Sequence, residues 1–338
     1  MRKFDARSYA AANTFPLKIL INKKLILSCL EEGKVLPIHL QLNPTNKCNF
    51  HCSICSCSSR DKSLELPLEK VMQFMRLFRS FGGEAVTITG GGDPIAYDKV
   101  KEMISRILGL GIKIGLVCNG SLWHRIEGCE SFGEITWIRV SSSDVLPDQL
   151  KRIGKSVKQW YAEQEKIVNE YPMIDWAFSH VVTEKTDCEA IAHLIDFANS
   201  HNFTHVRLVN DILHAHALDE TMILIKQSLM EKGVDDEIVN YQDRTSFAKG
   251  TFPCYISLLK PVLAADGQIY PCCGTQYALL NPSRDYEKSM TLGFMENFEA
   301  IINRQQFFDG RVCVKCYYSA YNEVLGTLMN SLSHREFV

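Results

Sequence analysis

Nine of the 13 cysteines in this 338-residue chain fall into two tight groups, and any fold the chain adopts has to accommodate them. The first group is Cys48, Cys52, Cys55 and Cys57; the second is Cys254, Cys272, Cys273, Cys313 and Cys316. Cys29, Cys118, Cys129 and Cys188 stand alone. This density is short of a disulfide scaffold, and in a reducing compartment clustered cysteines are more often metal ligands or reactive thiols than bridges. The compartment expected is the cytoplasm. The best early apolar run, Leu17 to Leu30, is broken by Lys18, Lys23 and Lys24, which spoils both a membrane span and a signal-peptide core.

Between the two groups the chain alternates strand-like and helix-like segments. Strands are expected at Pro37–Leu42, Ala85–Thr89, Ile112–Val117, Thr136–Val140, Trp176–Val182 and His205–Val209. Helices are expected at Leu68–Phe81, stopped by Gly82-Gly83, and at Asp98–Leu108, Pro147–Glu170 and Asp187–Ser200. Such alternation reads as parallel βαβ units. About six units fit before residue 240, fewer than the eight of a closed barrel, so the fold class expected is α/β, a partial (β/α)6 TIM-like barrel. After about residue 245 short strands, turns and cysteines take over. The organisation expected is an N-terminal segment (1–35), the partial barrel (36–245) and a small cysteine-rich domain (246–338). With 46% hydrophobic and 22% charged residues the chain can bury a core of this size. A net charge of −2 excludes a broadly basic nucleic-acid coat, although residues 1–34 hold seven Lys or Arg against three Asp or Glu.

Cys48-Asn-Phe-His-Cys52-Ser-Ile-Cys55 places three thiols at C-x3-C-x2-C on the loop after the first expected strand. Three thiolates this close can hold three irons of a [4Fe–4S] cluster and leave the fourth open to a substrate or cofactor. A zinc site with Cys57 as fourth ligand is the alternative, but Cys55 and Cys57 are too near in sequence for a good tetrahedron. A glycine-rich turn, Gly90-Gly91-Gly92-Asp93-Pro94, follows the second expected strand.

The cysteine spacing, its position and the preceding Pro44-Thr-Asn-Lys-Cys48-Asn-Phe50 stretch resemble the radical S-adenosylmethionine (AdoMet) superfamily. The resemblance implies that the open iron chelates AdoMet, that one electron from the reduced cluster splits its C–S bond, and that the resulting 5′-deoxyadenosyl radical abstracts a substrate hydrogen. It implies an external reductant such as flavodoxin or ferredoxin. Cys48, Cys52 and Cys55 become the cluster ligands, with Phe50 and Ile54 beside AdoMet; Ile54 stands where the family usually has an aromatic residue. Gly90, Gly91, Gly92, Asp93 and Pro94 resemble the family's Gly-Gly-Glu-Pro element, with Asp93 in place of Glu. Val117-Cys-Asn119-Gly120 resembles its Thr-Asn-Gly segment, and Ser141 and Ser143, on one face of a strand, resemble its AdoMet-contacting serines.

Cys254, the Asp266-Gly267-Gln-Ile-Tyr-Pro-Cys272 phrase and Cys313-Val-Lys-Cys316 resemble the family's SPASM or shorter twitch extension. That implies one auxiliary [4Fe–4S] cluster held by Cys254, Cys272, Cys313 and Cys316, with a four-thiolate zinc site as the alternative. Neighbouring side chains diverge in an extended chain, so Cys272 and Cys273 do not readily serve one cluster together. Cys118 and Cys273 are the candidate hydrogen-atom donors. His214-Ala-His216 has ligand spacing for a strand but no evident partner.

The reading is a radical AdoMet enzyme, with its oxidoreductase, isomerase or transferase class open. Its expected substrate is a peptide or protein side chain, and the alternative is a nucleoside or nucleic-acid base. A non-catalytic iron–sulfur electron carrier is the competing class, which the glycine-rich element argues against because electron carriage needs no AdoMet pocket.

Overall fold

The computed structural model describes residues 17–211, 219–242, 248–275, 290–313 and 316–330; His214 and His216 lie outside them. Its centre is one open sheet of ten strands. Seven run parallel and side by side in chain order: β1 (His39–Leu42), β2 (Ala85–Ile88), β3 (Lys113–Cys118), β4 (Trp137–Ser143), β5 (Asp175–Val182), β6 (His205–Asn210) and β7 (Val239–Gln242). The six expected strands are all present. The seventh follows a helix, Asp219–Glu231, and was not expected.

Beyond β1 the sheet continues through β8 (Val262–Leu263, parallel), β9 (Gln268–Tyr270, antiparallel) and β10 (Gly293–Phe294). The cysteine-rich region thus shares the barrel's sheet. The β8–β9 turn is the one Asp266-Gly267 foretold: Gly267 takes a φ of +78° and the Gln268 amide donates to Asp266 Oδ1 at 2.9 Å. The sheet does not close, so the architecture is a partial barrel.

Strand alternation gives the sheet two unlike faces. Leu40, Leu42, Val86, Ile88, Ile114, Leu116, Ile138, Val140 and Phe178 are all at most 1% exposed and belong to the main core. Helices cover that face. Phe178 of β5 meets Trp160 of the helix Val157–Glu170 and Phe197 of the helix Cys188–Ser200 at ring-centroid distances of 5.8 and 6.0 Å. The opposite, concave face carries His39, Gln41, Thr87, Arg139, Ser141, Ser143, Ser179, Arg207 and Gln242 by register. This polar face lines the lumen.

One expected helix is two. Pro147–Glu170 breaks at Gly154, whose φ is +75°, into Leu146–Arg152 and Val157–Glu170. Ser156 restarts the chain with a capping box to Gln159, a side-chain signal as strong as the helical periodicity around it.

Candidate active site between two cysteine groups

The two cysteine groups occupy opposite ends of the parallel strands. Cys48–Cys57 leave the C-terminal end of β1, and the glycine turn, Asn119 and Ser143 lie at the C-terminal ends of β2, β3 and β4. Cys254 precedes β8, which enters alongside β1, and Cys272 and Cys273 follow β9, which runs the other way; both therefore reach the N-terminal end. The lumen lies between.

At the upper end the cysteine loop is held by its neighbours. Gly92 and Asp93 donate backbone hydrogen bonds to Thr45 O (3.1 Å) and Lys47 O (2.9 Å), pinning the glycine turn to the chain just before Cys48. This packing explains the glycines. A Cβ on Gly91 would stand 1.9 Å from Asn46 Oδ1, and one on Gly92 would stand 2.0 Å from Lys47 O. Lys47 reaches Glu65 and Asp98 at 3.1 and 3.0 Å, and the His51 amide donates to Gln149 Oε1 at 2.7 Å. Asn49 exchanges hydrogen bonds with Asn119 and Ser121 at 2.9 and 2.8 Å, tying the cysteine loop to the end of β3.

Asp93 is spent inside the protein. Its Oδ1 accepts from the Ile95 amide at 2.9 Å and its Oδ2 from the Asn119 amide at 2.7 Å, with the side chain buried. It clamps the β2 and β3 loops together. Burial raises its carboxyl to about 6, against the pull of those two amides. Asn119 is likewise engaged: Oδ1 accepts from the Ser121 amide and hydroxyl, and Nδ2 donates to Asn49. By contrast Ser141 and Ser143 are partly exposed on the concave face of β4. The hydroxyl of Ser142 between them turns to the helix side, bonded to His180 Nδ1 at 3.2 Å, and Asp144 takes His180 Nε2, Thr183 and Thr186.

The thiols of Cys48, Cys52 and Cys55 are mutual electrostatic neighbours. Burial first, then Asp93, pushes Cys48 up to about 11; burial, then Cys55 and Cys48, pushes Cys52 up to about 12; burial and Cys57 raise Cys55. Backbone amides of Phe50 and Cys57 donate to the sulfurs of Cys48 and Cys55, each at 3.4 Å. Amide donors aimed at sulfur suit a negatively charged iron–sulfur group, whose binding would draw the protons off these thiols. Phe50 is buried and Ile54 partly exposed beside them. Cys57 is buried and turns to Gly90 O at 3.9 Å.

The lower group converges from four segments. Cys254 pairs with Phe308 and Cys316 with Ala248 in isolated bridges, and Gly250 donates to Cys313 O at 3.0 Å. Asn322 joins two of the thiols, with Nδ2 at 3.7 Å from Cys254 Sγ and 3.9 Å from Cys316 Sγ, while its Oδ1 accepts from the Ile256 amide. Cys272 feels Cys273 and Cys254, and Cys313 feels Cys316. Cys273 meets the Tyr318 hydroxyl at 3.3 Å. Among the described residues no three His, Cys, Asp or Glu side chains converge as a preformed single-ion site; these loops supply proximity and donors.

Cys118 departs from its expected place. It is 3% exposed on the face of β3 shared with Ile114 and Leu116, so its thiol points to the helices and not to the lumen. Strand alternation, counted one residue further along, would have shown it. Asn49, Gln149, Lys62, Asn322 and Tyr318 were missed, because a polar residue that braces a loop carries no motif. Lys62 Nζ, at 3.3 Å from Cys57 O, is a cation bracing this loop from within.

A sequence profile described as the radical SAM superfamily matches residues 42–195, from the end of β1 into the helix after β5. The chain carries a radical SAM domain. Its C-terminal region is cysteine-rich, with five cysteines after residue 250. A probable GTP 3′,8-cyclase of Sulfolobus acidocaldarius is 23% identical over 230 residues, covering 66% of this chain and 72% of that one. A GTP 3′,8-cyclase of Aquifex aeolicus is 25% identical over 260 residues, covering 69% and 81%. Among solved structures, SuiB of Streptococcus suis bound to S-adenosylmethionine superposes with a TM-score of 0.60 at 17% identity, covering 92% of this chain and 80% of that one. As a radical SAM enzyme the chain uses AdoMet and a [4Fe–4S] cluster that binds it, and needs an external reductant. No described helix is long and apolar enough to cross a membrane.

Proposed function

We propose that Cys48, Cys52 and Cys55 hold the cluster that binds AdoMet, and that Cys254, Cys272, Cys313 and Cys316 hold the auxiliary cluster. AdoMet then lies over the strand ends, against Phe50, Ile54, the Gly90–Pro94 turn and the Ser141 and Ser143 hydroxyls. Asp93 and Asn119 act one step back, fixing the three loops to each other. The bound cofactors supply the electron and the 5′-deoxyadenosyl radical that removes a hydrogen atom from the substrate. The protein's part is to align the substrate below AdoMet and to keep water from the radical. Cys273, with its Tyr318 partner, is the thiol placed to return a hydrogen atom; Cys118 faces away. The enzyme works in the cytoplasm, with a flavodoxin or ferredoxin as reductant.

The observation that carries this reading is the placement of the two cysteine groups at opposite ends of one polar lumen. The substrate we favour is a nucleotide. The lumen is lined by hydrogen-bonding side chains, and relatives matching most of the chain are named for a reaction of GTP. The test is anaerobic reconstitution followed by dithionite and AdoMet. Release of 5′-deoxyadenosine, accelerated by a nucleoside triphosphate with a mass change in that nucleotide, supports the reading. Acceleration by peptides alone would move the substrate to a peptide side chain. No 5′-deoxyadenosine at all would refute the radical assignment.

A further inference from the structure

One side chain in the lower cysteine group reaches two thiols at once. Asn322 lies near the start of the helix Ser319–Met329 and is buried. Its Oδ1 accepts from the Ile256 amide at 2.9 Å. Ile256 opens the short helix Ile256–Leu259, and the preceding Tyr255 supplies no side-chain cap, so Asn322 satisfies from across the chain an amide that the helix itself leaves over. The same bond decides which way the carboxamide faces. A backbone N–H can only donate, so the atom turned toward it is the oxygen. The NH2 group is therefore turned toward the sulfurs of Cys254 and Cys316, at 3.7 and 3.9 Å.

The backbones that carry these two sulfurs are fixed by other contacts. The Cys254 amide donates to Phe308 O at 3.1 Å, its carbonyl accepts from Ser257 Oγ at 2.6 Å, and that hydroxyl accepts from the Phe308 amide at 3.2 Å. The Cys316 amide donates to Ala248 O at 2.8 Å. What Asn322 adds is a pair of N–H donors aimed at sulfur inside the protein. Neutral thiols are weak acceptors, and a buried NH2 facing them is poorly satisfied; thiolates that hold a metal group are strong ones. The arrangement suits the loaded site. The upper cysteine group differs: the sulfurs of Cys48 and Cys55 receive backbone amides, those of Phe50 and Cys57, which no substitution short of proline removes. In the lower group a side chain does this work.

We infer that Asn322 is a positioning residue for the auxiliary cluster, whose N–H donors steady the Cys254 and Cys316 thiolates and raise the reduction potential of the group they hold. This rests on the proposed ligation by Cys254, Cys272, Cys313 and Cys316. Hydrogen bonds to ligand sulfur offset negative charge, and reduction adds one more, so the donors favour the reduced form. Losing both should lower the equilibrium constant for reduction roughly tenfold, which is about 59 mV for one electron.

The test uses the full chain with Cys48, Cys52 and Cys55 replaced by Ala and reconstituted anaerobically, so that the auxiliary cluster alone is read. Iron analysis and the electron paramagnetic resonance of the reduced protein come first. No iron there would sink the auxiliary-cluster reading, and this inference with it; every later outcome concerns Asn322 alone. In a redox titration followed by the same resonance, Asn322→Leu should be reduced at a potential lower by about 59 mV, the roughly tenfold loss given above. Asn322→Asp keeps an acceptor for the Ile256 amide but gives up the donors, so its potential should fall at least as far. An unchanged potential in either variant, with its iron retained, would make Asn322 a brace for Ile256 and nothing more. A second measurement leaves residue 322 unaltered. Asparagine carrying the heavy nitrogen isotope in its side chain should give a hyperfine coupling to the reduced cluster, lost in Asn322→Asp. Absence of that coupling would overturn the inference even if both variants failed to hold iron, and so would a coupling that survives the substitution.

Discussion

Removing the Asp93 carboxylate should loosen the AdoMet end of the barrel without removing iron. In Asp93→Ala two buried amides, those of Ile95 and Asn119, lose the acceptors now at 2.9 and 2.7 Å. An unsatisfied buried donor costs about 1–3 kcal/mol, so the pair amounts to about 2–6 kcal/mol before any relaxation. Against this, the raised carboxyl value of about 6 means that ionising Asp93 costs about 3 kcal/mol more in the folded chain than in the unfolded one. Asp93→Asn relieves that charge and keeps one acceptor, but turns an N–H toward the other amide. It should therefore lose about 1–3 kcal/mol less than Asp93→Ala. The sign with pH follows from proton binding. Between the unfolded value near 3.8 and the folded value near 6 the folded chain holds more protons, so this group's contribution to stability falls as pH rises through that window. Asp93→Asn should flatten that stretch of the profile. Anaerobic urea unfolding followed by tryptophan fluorescence measures both variants, with iron and AdoMet cleavage measured in parallel. Iron near the parent value with slowed cleavage is expected. An Asp93→Ala protein within about 1 kcal/mol of the parent would refute the clamp.

Replacing Cys48, Cys52 and Cys55 together by Ala should lower iron from about eight to about four per chain and abolish 5′-deoxyadenosine release, as iron analysis and chromatography would show. Cys316→Ala should also lose about four irons, keep some uncoupled AdoMet cleavage and stop product formation; normal turnover would remove the auxiliary cluster from the mechanism. Gly92→Ala forces a Cβ to 2.0 Å from Lys47 O, so the glycine turn must part from the cysteine loop, and AdoMet cleavage should fall well below the parent's.

The parallel strands and both cysteine groups were legible because each announces itself locally, by alternation, by glycine at helix ends or by spacing. What was hidden is relational. Asp93 read as a carboxylate aimed at AdoMet, yet its two oxygens meet amides from different loops, and nothing in Gly90–Pro94 says that the Asn119 amide will arrive there. The missing Cβ atoms of Gly91 and Gly92 make room for the Asn46 side chain and the Lys47 carbonyl. β7 was missed for another reason: Val239–Gln242 comes just after the acidic Asp235-Asp-Glu237 run, which reads as solvated surface. Cys118 and Cys273 looked equivalent as spare thiols, and only the pleat and the Tyr318 hydroxyl separate them.

The two faces of the sheet also divide the consequences of mutation, and β6 offers the sharpest comparison. Arg207 and Leu208 are consecutive, so they project to opposite faces. Leu208 is fully buried among the helices, and Leu208→Ala should cost about 2–5 kcal/mol from lost burial and the cavity left behind. Arg207 lines the lumen with its Nε on Ser179 Oγ, so Arg207→Gln should give up that hydrogen bond, worth about 1 kcal/mol, and leave the packed helix face intact. Thermal unfolding should then separate the two variants. Leu208→Ala melts early, and Arg207→Gln melts much nearer the parent. Equal destabilisation by both would mean that the guanidinium is a structural brace, and that the lumen face carries as much of the fold as the helix face does.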